Sequence, residues 1–170
     1  RFIGVGAMLV GGVSSIWQVR HGLVGGIAGL RAMGGAQATQ VARVDRDMSF
    51  MAILTLLSLA VVGVFGLYEY LLDSQLTAIV ATIVMVSASF LFVAVATYIV
   101  GLVGSSNSPV SGMTICALLL TSAVLLALGV KGDSAILAVL GVAGVVCCAA
   151  STAGDIAQDL KTGQLVGSTP

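Results

Sequence analysis

The sequence predicts an all-α fold: a polytopic helical integral membrane protein, with a broken or re-entrant helix region around 104–114. Three observations carry that prediction. Hydrophobic residues make up 58% of the chain and charged residues only 8%, against roughly 25% charged in ordinary soluble domains. Mean hydropathy is +1.14, which is more apolar surface than a soluble 170-residue domain could hide. Apolar runs of spanning length, about 20 residues each, are separated by short polar turns.

The elements follow in order as one transmembrane domain. Residues 2–17 read as a truncated span, with Trp17 placed like an interfacial anchor. Residues 18–48 are of a different kind. They carry Arg20, His21, Arg31, Arg43 and Arg46 with Asp45 and Asp47, and read as an interfacial or cytoplasmic loop with short helices. Residues 50–72 form the next span, with Tyr68 and Tyr70 near its end, and Asp73-Ser74-Gln75 is a tight turn. Residues 76–103 form a span longer than a bilayer requires. The polar block follows, then a span over 113–130, a turn at Lys131-Gly132-Asp133, a last span over 134–150 and a polar tail over 151–170. Basic residues gather in the 18–48 loop, so the positive-inside rule puts it in the cytoplasm and the Asp73 turn outside. Four full spans after that loop return the tail to the cytoplasm; a re-entrant pair around 104–114 flips it.

Composition excludes several functions. Seven basic and seven acidic residues cancel, so no net field attracts nucleic acid. The three cysteines, Cys116, Cys147 and Cys148, all lie in apolar runs. They fit no disulfide framework and no zinc spacing, and read as small hydrophobes. No metal site and no cofactor is expected, and Gly4-Val5-Gly6 lacks the third glycine of a dinucleotide site. Glycine is abundant, at 22 residues, which suits close helix approach at pairs such as Gly22/Gly26 and Gly25/Gly29. Glu69, the only glutamate, is near enough to the Asp73 turn to read as a solvated interfacial carboxylate. The chain opens on Arg1 and closes on Pro170, and reads as an internal piece of a longer polypeptide.

The block Gly104-Ser-Ser-Asn-Ser-Pro-Val-Ser-Gly-Met-Thr114 holds the only asparagine and one of two prolines. Non-helical backbone at membrane depth must be buried in protein or line a wet cavity, and broken helices often build transporter sites. Ser108 before Pro109 fits an N-cap followed by proline at the first helical position. The helix after Pro109 would then aim free N–H groups and its positive end at the Asn107 region, a place for an anionic group. Ser105, Ser106, Ser111, Thr114 and the Asn107 amide add donors and acceptors, and Gly104 and Gly112 permit close backbone approach. A plain surface loop rich in turn residues is the other reading of the same block. In the tail, Asp155 and Asp159 are four apart and share a helix face. They could take up a proton or hold a cation, because close like charges raise one pKa, and Lys161 could pair with Asp159 or with a substrate carboxylate. A solvated helix start outside the membrane is the alternative.

The Ser105–Thr114 block resembles the signature of the oligopeptide transporter (OPT) superfamily, which includes the yellow stripe-like transporters. Its pattern, approximately S-x-N-x-P-[IV]-S-G-M-T, is matched at Ser105, Asn107, Pro109, Val110, Ser111, Gly112, Met113 and Thr114. The tail resembles the family's D-x-x-Q-D-[LF]-K-T-G-Y-L stretch at Asp155, Gln158, Asp159, Lys161, Thr162 and Gly163, and departs at Gln164, where the family usually has tyrosine. Residues Arg1 to Met8 are also similar to a bacterial OPT segment. The resemblance implies a multi-pass transporter of the cell (plasma or inner) membrane rather than an enzyme, usually proton-coupled. It implies short peptides or metal chelates of amino-acid-derived ligands as substrates, with protons and the lipid bilayer as further partners; a homo-oligomer is compatible with it. Ser105, Ser106, Asn107, Pro109, Ser111, Gly112 and Thr114 are then the substrate-binding candidates, and Asp155, Asp159 and Lys161 the candidates for ion coupling or gating. A channel or non-transporting scaffold subunit is the competing class. An intramembrane aspartyl protease using Asp133 and Asp155 is a third, although Gly129-Val-Lys-Gly-Asp133 has one residue too many for the Gly-x-Gly-Asp motif.

Overall fold

The computed structural model describes residues 48–72 and 74–168, together with scattered positions between 3 and 17 that are helical. Asp73, most of the 18–48 loop and its glycine pairs, much of the 2–17 span and the last two residues of the tail lie outside the described residues. Among the described residues there is no strand. The elements are α1 (Phe50–Leu71), α2 (Gln75–Val103), a 3-10 turn (Ser105–Asn107), α3 (Val110–Ala127) and α4 (Asp133–Val166). All four α-helices are long and apolar enough to cross a membrane.

The outside of the bundle is apolar. Leu56, Leu59, Val62 and Leu67 on α1 are exposed, as are Leu120 on α3 and Leu140 on α4. Within hydrocarbon, apolar faces gain nothing by turning away from their surroundings, so helix association rests on close packing through small residues. That packing is concentrated between α2 and α4. Ala78, Ala81, Ala88 and Ala96 on α2, and Ala138, Ala143, Ala150 and Gly154 on α4, are buried. The α4 positions Ala138, Val142, Val146, Ala150 and Gly154 recur every four residues, which draws one stripe along the helix. The α3 face against α4 buries Met113, Ala117, Thr121 and Leu125. The hydroxyls of Thr82 and Thr121 donate to the carbonyls of Ala78 and Ala117 at 2.8 and 2.7 Å, so these buried polar groups are satisfied within their own helices.

The chain runs back and forth. Val93 of α2 lies beside Val145 and Cys148 of α4, Val100 beside Gly154, and Ser105 beside Gln158. The two helices therefore climb in step and are parallel. Leu125 and Leu126 of α3 lie near Ala135 and Ile136 of α4, which makes α3 and α4 an antiparallel hairpin. The Ser105–Pro109 break and the far part of α4 consequently share one end of the bundle, and the Asp133 turn lies at the other.

α1 is the peripheral helix. Ser49 caps it, its Oγ accepting the Ala52 N–H at 3.3 Å, but Tyr68 is its only buried residue. The Tyr68 ring lies on the bare backbone of Gly141: a Cβ there would stand 3.0 Å from Tyr68 Cε1.

Three sequence-based boundaries change. The last helix does not stop at Ala150; α4 continues through 34 residues to Val166. At 1.5 Å per residue it is about 51 Å long, beyond a hydrocarbon core of about 30 Å. The tail is thus largely helical, ending at Gly167 (φ 74°) with the Ser168 N–H returned to the Gly163 carbonyl at 2.9 Å, a left-handed glycine terminus. α3 spans Val110–Ala127 rather than 113–130, because the proline at 109 permits a helix to begin directly after it. Ser108 is not the N-cap: Pro109 occupies that position, and no side chain caps α3.

Candidate transport site

The break begins at Gly104, whose φ of 84° and ψ of 161° fall in a region almost closed to other residues. A Cβ at Gly104 would meet nothing within 4 Å, so the expected close approach is absent and the glycine serves the backbone bend. Ser105–Asn107 make one 3-10 turn, with the Asn107 N–H donating to the Gly104 carbonyl at 3.3 Å and the Ser108 N–H to the Ser105 carbonyl at 3.2 Å. α3 then starts with the amides of Val110, Ser111 and Gly112 lacking any carbonyl one turn back.

The predicted binding residues divide by environment. Ser106, Asn107 and Ser111 are exposed, Ser105, Pro109 and Thr114 are half-buried, and Gly112 is buried. The Asn107 amide turns back to donate to the Val103 carbonyl at 3.3 Å. Thr114 Oγ1 donates to the Val110 carbonyl at 2.8 Å. Among the described residues, Ser108 Oγ is buried without a hydrogen-bond partner. Ser108 was not among the predicted site residues.

The tail block meets this break. The Ser105 N–H donates to Gln158 Oε1 at 3.2 Å, joining residues 53 apart in the chain. Gly154, one turn earlier on α4, makes the approach feasible: a Cβ there would stand 3.1 Å from Val100 Cγ2. Asp155 and Asp159 flank Gln158 and are exposed. Lys161 does not turn to Asp159; its Nζ donates to Gln164 Oε1 at 2.8 Å. Gln158 is the functional candidate that the site prediction passed over, although its match to the tail pattern was a visible signal.

Asp133 and Asp155 lie on the single continuous helix α4, about six turns or about 33 Å apart by the helical rise. A proteolytic dyad needs two carboxylates within about 3 Å of each other, so this pair cannot form one. Cys116 is buried, Cys147 half-buried and Cys148 exposed on the flank of α4.

Long apolar helices, packed through small residues and interrupted by an uncharged break, define a polytopic α-helical membrane protein. The family model described as OPT oligopeptide transporter protein matches residues 1–170. The chain belongs to the OPT family. It is 39% identical over 106 residues to a Haemophilus influenzae protein provisionally named as an oligopeptide transporter; the match takes in 57% of this chain and 17% of that protein. The chain thus spans under a fifth of the length of the relative it matches. No solved structure matches it.

Proposed function

We propose that the chain is part of a secondary active transporter that takes up short oligopeptides, or metal chelates of amino-acid-derived ligands, with protons across the plasma or inner membrane. One observation carries this reading: an uncharged helix break, joined by a hydrogen bond to the acidic stretch of a neighbouring helix, within a chain of the OPT family. The break supplies the polar surface of the substrate path. The first amides of α3 and the Asn107 side chain meet carboxylate or carbonyl oxygens, favoured by the positive end of the helix. Asp155 and Asp159, one turn apart beside Gln158, take up or gate the proton, and Lys161 holds that stretch through Gln164. By the positive-inside rule the break and the far part of α4 face the cytoplasm.

Uptake by the full-length protein in proteoliposomes, wild type against Asn107→Ala, tests the site. The expected result is a raised KM for a labelled tripeptide, roughly two- to tenfold for the loss of one neutral hydrogen-bonding group. Unchanged rate and affinity would remove the break from the substrate path.

A further inference from the structure

We infer that Gln158 is a positioning residue: its side-chain carbonyl holds the Ser105–Pro109 break in the shape that receives substrate. The inference rests on the reading that this break lines the substrate path.

The break has little else to shape it. Neither the 3-10 turn nor α3 has a side-chain cap. The Asn107 amide and the Thr114 hydroxyl both bond backward within their own segment, to Val103 and Val110, and so fix nothing relative to the rest of the bundle. Among the described residues, Gln158 is the side chain from another helix that bonds to the backbone of the break, through the Ser105 N–H at 3.2 Å. A 3-10 turn of three residues, opened by a glycine at φ 84°, has many alternative shapes. One bond at its first amide selects among them.

The backbone of Gln158 is held in place, although its side chain is exposed. It lies inside α4, whose helix is unbroken from Asp133 to Val166. Its backbone carbonyl also accepts the Thr162 hydroxyl at 3.1 Å. Gly154 lets the last turn of α2 rest against the α4 backbone near Val100, and that approach sets the reach from helix to break. A glutamine spans it and bonds at 3.2 Å; an asparagine is one methylene shorter. The neighbouring carboxylates of Asp155 and Asp159 are acceptors too, but the Ser105 amide is bound to the glutamine between them. Without this bond the break samples more shapes, and the cost of ordering it shifts to the binding of substrate.

The experiment uses the full-length transporter with Gln158→Leu, Gln158→Asn and Gln158→Glu, each made in two forms: with no further change for uptake, and with Ser106→Cys in a background with the other cysteines replaced for labelling only. Ser106 is exposed in the break, so maleimide labelling of that cysteine reports its order without reference to transport. The Leu variant removes the acceptor and the Asn variant shortens it, whereas the Glu variant keeps both reach and acceptor. Labelling is expected to quicken in the Leu and Asn proteins and to stay at the parent rate in the Glu protein. In proteoliposomes, KM for a labelled tripeptide is expected to rise roughly two- to tenfold for Leu and Asn with Vmax held, the range one neutral hydrogen bond supports, and to stay near the parent value for Glu. Rescue by Glu but not by Asn is a pattern that simple misfolding does not produce. Equal labelling in all four proteins overturns the inference whatever uptake does. Altered labelling with unchanged KM overturns the claim that the shape of the break serves substrate. Normal uptake by Asn107→Ala, measured alongside, would strike the site reading instead.

Discussion

Two helix connections in the bundle are built on the same backbone device but finished differently. Gly104 opens the α2–α3 break at φ 84°, ψ 161°, and Gly132 opens α4 at φ 90°, ψ −163°. Both conformations lie in territory that is essentially reserved for glycine. The α3–α4 turn then presents Lys131 and Asp133 to solvent, with Asp133 in the favourable first turn of α4. The α2–α3 break has no charge at all. It carries Ser105, Ser106, Asn107 and Ser108 instead, and it is tied to a third helix by Gln158. The α3–α4 turn needs only to reverse the chain at a wet boundary. The break keeps donors available, leaves Ser108 Oγ buried and unpartnered among the described residues, and depends on a neighbour for its shape. The difference is the one expected between a connector and a piece of the proposed site.

Substitutions can break this comparison. The largest effect is expected from valine at the two opening glycines. Gly104→Val and Gly132→Val should each lower stability by about 1–3 kcal/mol, because a β-branched side chain is forced into a glycine conformation, as read by thermal unfolding of the purified full-length protein. Only Gly104→Val should also abolish uptake per folded molecule. Equal uptake in the two variants would reduce the break to a second ordinary turn.

Neutralising charges comes next. Asp155→Asn with Asp159→Asn should remove the dependence of uptake on an imposed proton gradient, whereas Lys131→Ala with Asp133→Asn should leave that dependence intact. A proton dependence that survives the first pair, measured in proteoliposomes, assigns coupling to another part of the protein.

A smaller effect should separate the helix supports. Gly154→Ala places a Cβ 3.1 Å from Val100 Cγ2 and should cost about 1 kcal/mol through local overpacking. Gly144→Ala meets nothing within 4 Å and should be neutral or stabilising by up to about 1 kcal/mol through helix propensity. Melting temperatures of the two variants moving in the same direction would contradict the packing described between α2 and α4. The smallest effect is expected at Gln164→Ala. It removes one exposed bond to Lys161 and should change stability by no more than about 0.5 kcal/mol.

The sequence disclosed the parts of this molecule that depend on composition and on local backbone chemistry. Spans over 50–72 and 76–103 were legible because bilayer thickness sets the length of an apolar run. The break was legible because proline and glycine act within a few residues of themselves. The end of α4 was not legible. Hydropathy reports where hydrocarbon stops, at about Ala150, but a helix can continue into water or beneath neighbouring protein, as Ala153, Gly154 and Ala157 do beside the break. Ser108 was misread as a cap because Ser-Pro is locally a good cap; the backbone instead gave that place to Pro109, at ψ 45°. Gln158 matched the tail pattern but was passed over, because its bond to Ser105 depends on where α2 ends in space. No local pattern encodes an approach set by a glycine four residues earlier and a valine on another helix.

The continuity of α4 makes its far portion a lever arm. From Gly154 to Val166 the helix extends about 18 Å, and Gln158 stands about 6 Å along it. A tilt of about 10° about Gly154 carries the tip by about 3 Å but shifts Gln158 by only about 1 Å. Added to the 3.2 Å separation, that small shift already exceeds hydrogen-bond distance. A tilt of that size away from the break would therefore part the contact with Ser105 before it unpacked the helices around it.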